Sequence, residues 1–151
     1  MNQGNSSCLT RGAIDASKDL FPSQDIVMSW FINGRRVSAS QVALQRCTGG
    51  NINHHVGRMC VDIAVVVAGV PIAVEFDSWF WHGDRELVDQ RRDRMLLALG
   101  WRVLRIRSAG DIPGAPIILA TLRELRSGHA RVLILTMPSW GVGPTHAALV
   151  R

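Results

Sequence analysis

Three carboxylates, Asp62, Glu75 and Asp77, each interrupt an otherwise apolar stretch, RMCVDIAVVV for the first and PIAVEFD for the other two. Both stretches alternate in the manner of strands, and Ala68-Gly69 between them suits a two-residue turn. With Val67 facing Val70, that register brings Asp62 opposite Glu75. Side chains change face at every residue, so Asp77 joins Glu75 while Ile72, Val74 and Phe76 point the other way. Directly opposed Cβ atoms sit roughly 4.5–5.5 Å apart, where like charges destabilise the pair. Acids crowded in this way raise one another's pKa unless a cation is shared among them. Oxygen ligands on a fairly rigid sheet suit Mg²⁺ or Mn²⁺ better than zinc. The spacing therefore predicts a divalent-metal site on Asp62, Glu75 and Asp77. The competing reading, an acidic edge of a solvated sheet, fits poorly with acids set inside strands this apolar.

The segment after the second strand, SWFWHGD, carries Trp79, Phe80, Trp81 and His82. Aromatics on a loop are costly to expose without a use. Asp84 can cap the helix that follows, RELVDQRRDRMLLAL, and Gly100 suits its left-handed end. Helical spacing predicts a buried stripe of Val88, Met95, Leu96 and Leu99, with Glu86, Asp89, Gln90, Asp93 and Arg94 on the remaining surface. WRVLRIR then reads as a strand beside the hairpin. Its Arg105 and Arg107 share a face with Val103, either reaching toward phosphates or serving as edge charges.

These groups need a scaffold, and the chain is long enough for one. At 151 residues, with 47% apolar and 19% charged residues, it suits one folded domain over 11–137, a flexible N-terminus over 1–10 and a tail over 138–151. No apolar run approaches the roughly 20 residues of a membrane span, and no charged-then-apolar leader is visible. Three cysteines, Cys8, Cys47 and Cys60, cannot all pair within the chain, which points to reduced thiols and a cytoplasmic protein. The formal net charge is +5, and Lys18 is the only lysine among 17 cations. Arginine forms bidentate contacts with phosphate and stacks on bases, so this balance suits a nucleic-acid partner, although GC-rich coding also produces it.

The remaining elements follow from pattern. Helices are expected over 12–21 and after Ser23, the second with Ile26, Val27, Trp30 and Phe31 on one face. Asn33-Gly34 ends it or makes a turn. Val42 and Leu44 alternate, so 37–47 is read as a strand, Ser40 capping a short helix being the alternative. Residues 48–56 read as a flexible loop. His54-His55 between Cys47 and Cys60 match no usual zinc spacing. A further helix over 113–128 and the strand ARVLILTM complete an α/β layered domain, a central mixed sheet flanked by helices.

Taken together, VDIAV, AVEFDSWFWHGD and DQRRDRMLLALGWRVLRI resemble the core of the PD-(D/E)XK nuclease superfamily, most closely its very short patch repair (Vsr-like) branch. The likeness covers about a third of the chain. It implies a restriction-endonuclease-like core and Mg²⁺-dependent cleavage of phosphodiester bonds in DNA, in a repair or homing role. Asp62 and Glu75 match the superfamily's metal-binding acids, and Asp77 stands where many members have lysine. His82 matches a histidine that assists catalysis in that branch, and Asp93 an aspartate on the following helix. Phe80 and Trp81, with Trp79 beside them, resemble DNA-wedging aromatics. Arg85, Arg91, Arg92 and Arg105 are the cations expected at the nucleic acid. Many members place another acid on an N-terminal helix, for which Asp15, Asp19 and Asp25 are candidates. Non-catalytic RAP domains, which bind RNA or DNA, share VDIA and EFD but typically lack the FWHGD and QRRDR segments. Whether the chain acts as a monomer or a homodimer is left open by the residues.

Overall fold

The computed structural model describes residues 31–79 and 85–141. The helix expected over 12–21, the part of the helix expected after Ser23 that precedes Phe31, the acids Asp15, Asp19 and Asp25, and the loop residues Phe80, Trp81, His82 and Asp84 lie outside the described residues. Phe31, expected on the face of that second helix, is instead in a strand, because it pairs with Arg36 across the Asn33-Gly34 turn.

A small antiparallel hairpin, β1 (Phe31–Ile32) and β2 (Arg35–Arg36), turns at Asn33-Gly34 and leads into helix α1 (Ala39–Thr48). Strand β3 (Asn51–Val56) then begins an antiparallel meander with β4 (Met59–Val67) and β5 (Val70–Ser78). Between β4 and β5, Ala68 and Gly69 have φ of 47° and 82°, so both turn residues are left-handed. That conformation matches strand twist in a two-residue hairpin, and Val67 faces Val70 as the spacing predicts. Helix α2 (Glu86–Ala98) carries the chain to β6 (Arg102–Ser108), parallel to β5, and α3 (Ala115–Ser127) to β7 (Val132–Thr136), parallel to β6. The five strands form one mixed sheet in the order β3-β4-β5-β6-β7.

Helices cover both faces of this sheet. Leu44 of α1 and Ile118, Leu122 and Leu125 of α3 pack with Ile63, Val65, Ile72, Val74, Leu104 and Ile106. On the other face Leu96 of α2 meets Val61, Ala64, Ala73 and Val103. Ile72 and Val74 thus belong to one cluster and Ala73 between them to the other, which is why β5 is apolar on both faces. Among the described residues no helix is long and apolar enough to cross a membrane.

Three further sequence expectations are corrected. Residues 37–47 are mostly helical, because Ser38 and Gln41 form a reciprocal capping box: Gln41 N donates to Ser38 Oγ, and Ser38 N donates to Gln41 Oε1. Two satisfied helix-end donors outweigh the weak alternation of Val42 and Leu44. The loop expected over 48–56 contains β3, an edge strand whose polar residues gain order by pairing with β4. In α2, Val88, Met95 and Leu99 are 52%, 46% and 57% exposed, and the residues turned inward are Asp89, Asp93 and Leu96.

Gly49 closes α1 in the left-handed conformation, and Gly50 follows where the chain crosses β4. A Cβ on Gly50 would lie 2.6 Å from the Ala64 carbonyl oxygen and 2.6 Å from Ile63 Cγ2. Backbone cannot yield there without moving the sheet. Gly50→Ala is therefore expected to destabilise the fold by about 1–3 kcal/mol, the usual range for overpacking, in urea denaturation.

Candidate functional site

The Cα register between β4 and β5 extends from the turn to Ile63↔Val74. Just beyond it, the Phe76 N–H donates to Asp62 Oδ2 at 2.8 Å, so a side chain takes over the role of the backbone ladder. The other oxygen of Asp62 accepts from Gln41 Nε2 at 3.0 Å. Gln41 Nε2 also donates to Asn53 Oδ1 at 3.1 Å, and Asn53 Nδ2 donates to the carbonyls of Ile32 and Arg35. Both amides are buried. Their orientation is set at each end, and Asp62 is aimed by a chain of hydrogen bonds reaching from α1 and the β1–β2 hairpin. Sequence reasoning missed Gln41 and Asn53. The Ser-x-x-Gln capping signature could have placed Gln41 in the first turn of a helix, but nothing local points it at Asp62.

Asp62 and Glu75 line one cleft of about 370 Å³, with Arg35, Arg85 and Arg92 among its other walls. Glu75 is only 5% exposed. Arg92 Nη2 donates to Glu75 Oε1 at 2.9 Å and Nε donates to the same oxygen at 3.3 Å, while Nη2 also donates to the Cys60 carbonyl. Burial, followed by the charge of Asp62, pushes Glu75 up to about 8, and Arg92 works against both. Arg92 therefore offsets the burial of Glu75 and the charge of its neighbour only in part. Burial also raises the Cys60 thiol, leaving it a weak nucleophile.

Asp77 points into the same cleft but is committed elsewhere. Arg105, expected to reach for phosphates, is instead 1% exposed beneath α2. Its Nη1 donates to both oxygens of Asp77 at 2.8 Å, and its Nη2 and Nε donate to Asp93 Oδ1 at 2.7 and 3.0 Å. Asp89 Oδ1 lies 3.8 Å away. Burial opposes the charge on Arg105, but the hydrogen bonds and charges of Asp93 and Asp77 more than offset it, and its pKa is raised. This cluster explains why α2 turns its acids inward: the sheet presents a guanidinium where an apolar stripe was expected. Asp93 thus holds Arg105 and does not line the Asp62 cleft.

The other predicted residues are dispersed. Trp79 packs edge-to-face on Trp140 at 5.2 Å, and Arg107 sits over the same Trp140 ring. Arg91 is exposed on α2, whereas Arg85 lines the Asp62 cleft. Phe80, Trp81 and His82 lie outside the described residues. His54 stacks at a tilt against Trp101, and Cys47 and Cys60 are free thiols.

Among the described residues no group of three or more His, Cys, Asp or Glu side chains could by itself hold a metal ion. Of the carboxylates lining the cleft, Asp77 is taken up by Arg105, while the buried Glu75 and the part-buried Asp62 are close enough for the charge of Asp62 to raise the Glu75 pKa. Such a set fits a divalent cation that completes its shell with water and phosphate oxygen, the usual habit of Mg²⁺. No family model matches the chain, and neither a curated protein nor a solved structure matches it.

Three outcomes follow from this arrangement of charges. Arg105→Met, which strands the buried Asp77 and Asp93, should cost about 3–5 kcal/mol in urea denaturation. Arg91→Ala on the exposed side of the same helix should stay within about 0.5 kcal/mol. Glu75 in the folded chain holds its proton up to about 8, well above its ordinary value of 4.5. Its contribution to stability is thus complete below about 4.5 and is lost as pH rises through about 8, at up to about 1.4 kcal/mol per pH unit. Thermal melts between these limits should show that decline in the parent and lack it in Glu75→Gln.

Proposed function

We propose that the chain is a metal-dependent endonuclease that hydrolyses phosphodiester bonds in DNA, in a cytoplasmic setting. The observation supporting this most strongly is the convergence of Asp62 and Glu75, from neighbouring strands, on a cleft walled by Arg35, Arg85 and Arg92. Burial, with the charge of Asp62 adding to it, raises the pKa of Glu75. The resemblance to the PD-(D/E)XK superfamily, with its Vsr-like segments, points the same way. A bound Mg²⁺ or Mn²⁺ supplies charge stabilisation at the phosphate and a more acidic water.

The chain's own residues do the rest. Gln41 and the Phe76 N–H hold the Asp62 carboxylate in one orientation, which limits the reorganisation needed on binding. Arg92, whose side chain is 26% exposed, holds Glu75 at the cleft wall and presents its guanidinium to a phosphate there. Arg85, exposed at the start of α2, adds a second positive group at the mouth. His82, which matches the histidine of the Vsr-like branch, is the residue offered for proton transfer to or from the reacting oxygens.

A second reading has an observation of its own. Arg92 lies on Glu75 and Arg105 on Asp77, so intrachain cations already answer two of the three expected ligands. That arrangement suits a nuclease-like module that binds DNA or RNA without cutting it. Plasmid cleavage separates the two. The endonuclease reading expects nicked or linear product with Mg²⁺ or Mn²⁺, none with EDTA, and a loss on the order of 100-fold or more in Asp62→Asn and Glu75→Gln. Retained binding with no metal-dependent product would establish the module instead.

A further inference from the structure

A second trough, of about 560 Å³, adjoins the cleft of Asp62 and Glu75, and Arg35, Asp62 and Phe76 line both. Among the described residues that line it, the charged ones are Arg35, Arg36 and Asp62, so cations outnumber anions there. The rest of its lining is uncharged, including Ser38 and Ser40 at the start of α1 and the backbone at Ala109 and Gly110. Ser40 Oγ donates to the Gly110 carbonyl at 2.9 Å, tying the α1 end to the segment after β6.

The two arginines are displayed on a buttressed arm. Strands of two residues cannot hold a hairpin in place by their own pairing. Here the 1% exposed Asn53 donates to the Ile32 carbonyl at 2.9 Å and to the Arg35 carbonyl at 3.2 Å. Asn33 Nδ2 returns a bond to the Asn53 carbonyl at 3.2 Å. Asn53 itself adopts a left-handed φ of 50°, a conformation that Asn tolerates better than most residues. The Arg36 guanidinium lies over the Phe31 ring at 5.8 Å, while both arginines remain solvent-exposed. An exposed cation pair over a long uncharged trough, contiguous with the acidic cleft, has the chemistry of a track for a sugar-phosphate strand. Guanidinium groups bind phosphates bidentately, and hydroxyls and backbone amides suit the uncharged sugars between them.

We propose that this trough binds the phosphodiester backbone of DNA to one side of the bond presented to Asp62 and Glu75, with Arg35 and Arg36 neutralising phosphates. The proposal uses the hydrolytic reading only to say where the strand is cut; the binding itself requires no metal.

The test is fluorescence anisotropy of a short fluorescein-labelled DNA duplex with the full chain in EDTA, across a series of KCl concentrations. Each neutralised phosphate contributes about 0.9 to the slope of log K against log salt. Arg35→Gln/Arg36→Gln should therefore reduce the slope by about 1.8, and Arg36→Gln alone by about 0.9. Arg123→Gln/Arg126→Gln, exposed on α3 and lining neither cleft nor trough, is the charge-matched control and should change it far less. Equal slopes for the two double variants, an unchanged slope, or no binding by the parent chain would overturn the proposal. Metal-dependent cleavage with an unmoved slope would leave the hydrolytic reading standing and remove the trough. A reduced slope in a chain that never cleaves would do the reverse.

Discussion

The buried guanidinium of Arg105 ties three elements together: Asp77 on β5, its own strand β6, and Asp89 and Asp93 on α2. A charge taken from water this completely is tolerable only when its hydrogen-bonding positions are filled. That requirement sets the rotation of α2 about its axis, because no other face of the helix offers two acids one turn apart. It leaves Val88, Met95 and Leu99 outward and leaves Leu96 to make the helix's apolar contact with Val103 and Ala73. It also presents Arg92, three residues after Asp89, to Glu75. The position of the candidate site's cation therefore depends on a structural ion cluster beside it.

The division of labour among the acids has a simple electrostatic basis. Asp77 and Asp93 share one guanidinium with favourable geometry and are satisfied by it. Among the described residues, the Gln41 amide and a backbone N–H hold Asp62 and fix its direction. Glu75 feels its own burial together with the charge of Asp62, and Arg92 answers only part of the two. A carboxyl pair in which burial and a neighbouring acid keep a proton on Glu75 is one where a divalent cation can take that proton's place.

Legibility followed locality. Whether 37–47 would be helix or strand was decided by the Ser38–Gln41 box, a local signal that two alternating apolar residues concealed. The edge strand over Asn51–Val56 had no local signal of its own, since polar and left-handed residues there are recruited by pairing with β4. The inward face of α2 could not be read from hydrophobic spacing, because what it meets is a charge on a strand that the chain has yet to make.

What the sequence by itself determined is the hairpin: two alternating stretches joined by Ala68-Gly69 keep one register from Val67↔Val70 to Ile63↔Val74. Asp62 lies one residue beyond it, and the expected face shared with Glu75 is not kept there: Val61 and Ile63 join clusters on opposite faces, and Asp62 takes the Phe76 N–H while lining one cleft with Glu75 and Asp77. The turn chemistry that sets the register is a short-range property. Only the tertiary structure decided which of those acids keep company with which cations. Arg92 and Arg105 are 17 and 28 residues beyond Glu75 and Asp77. The buried amides aiming Asp62 likewise come from a helix and an edge strand distant in the chain. Ion pairing of this kind is settled by the packing of whole elements, and no local pattern encodes it.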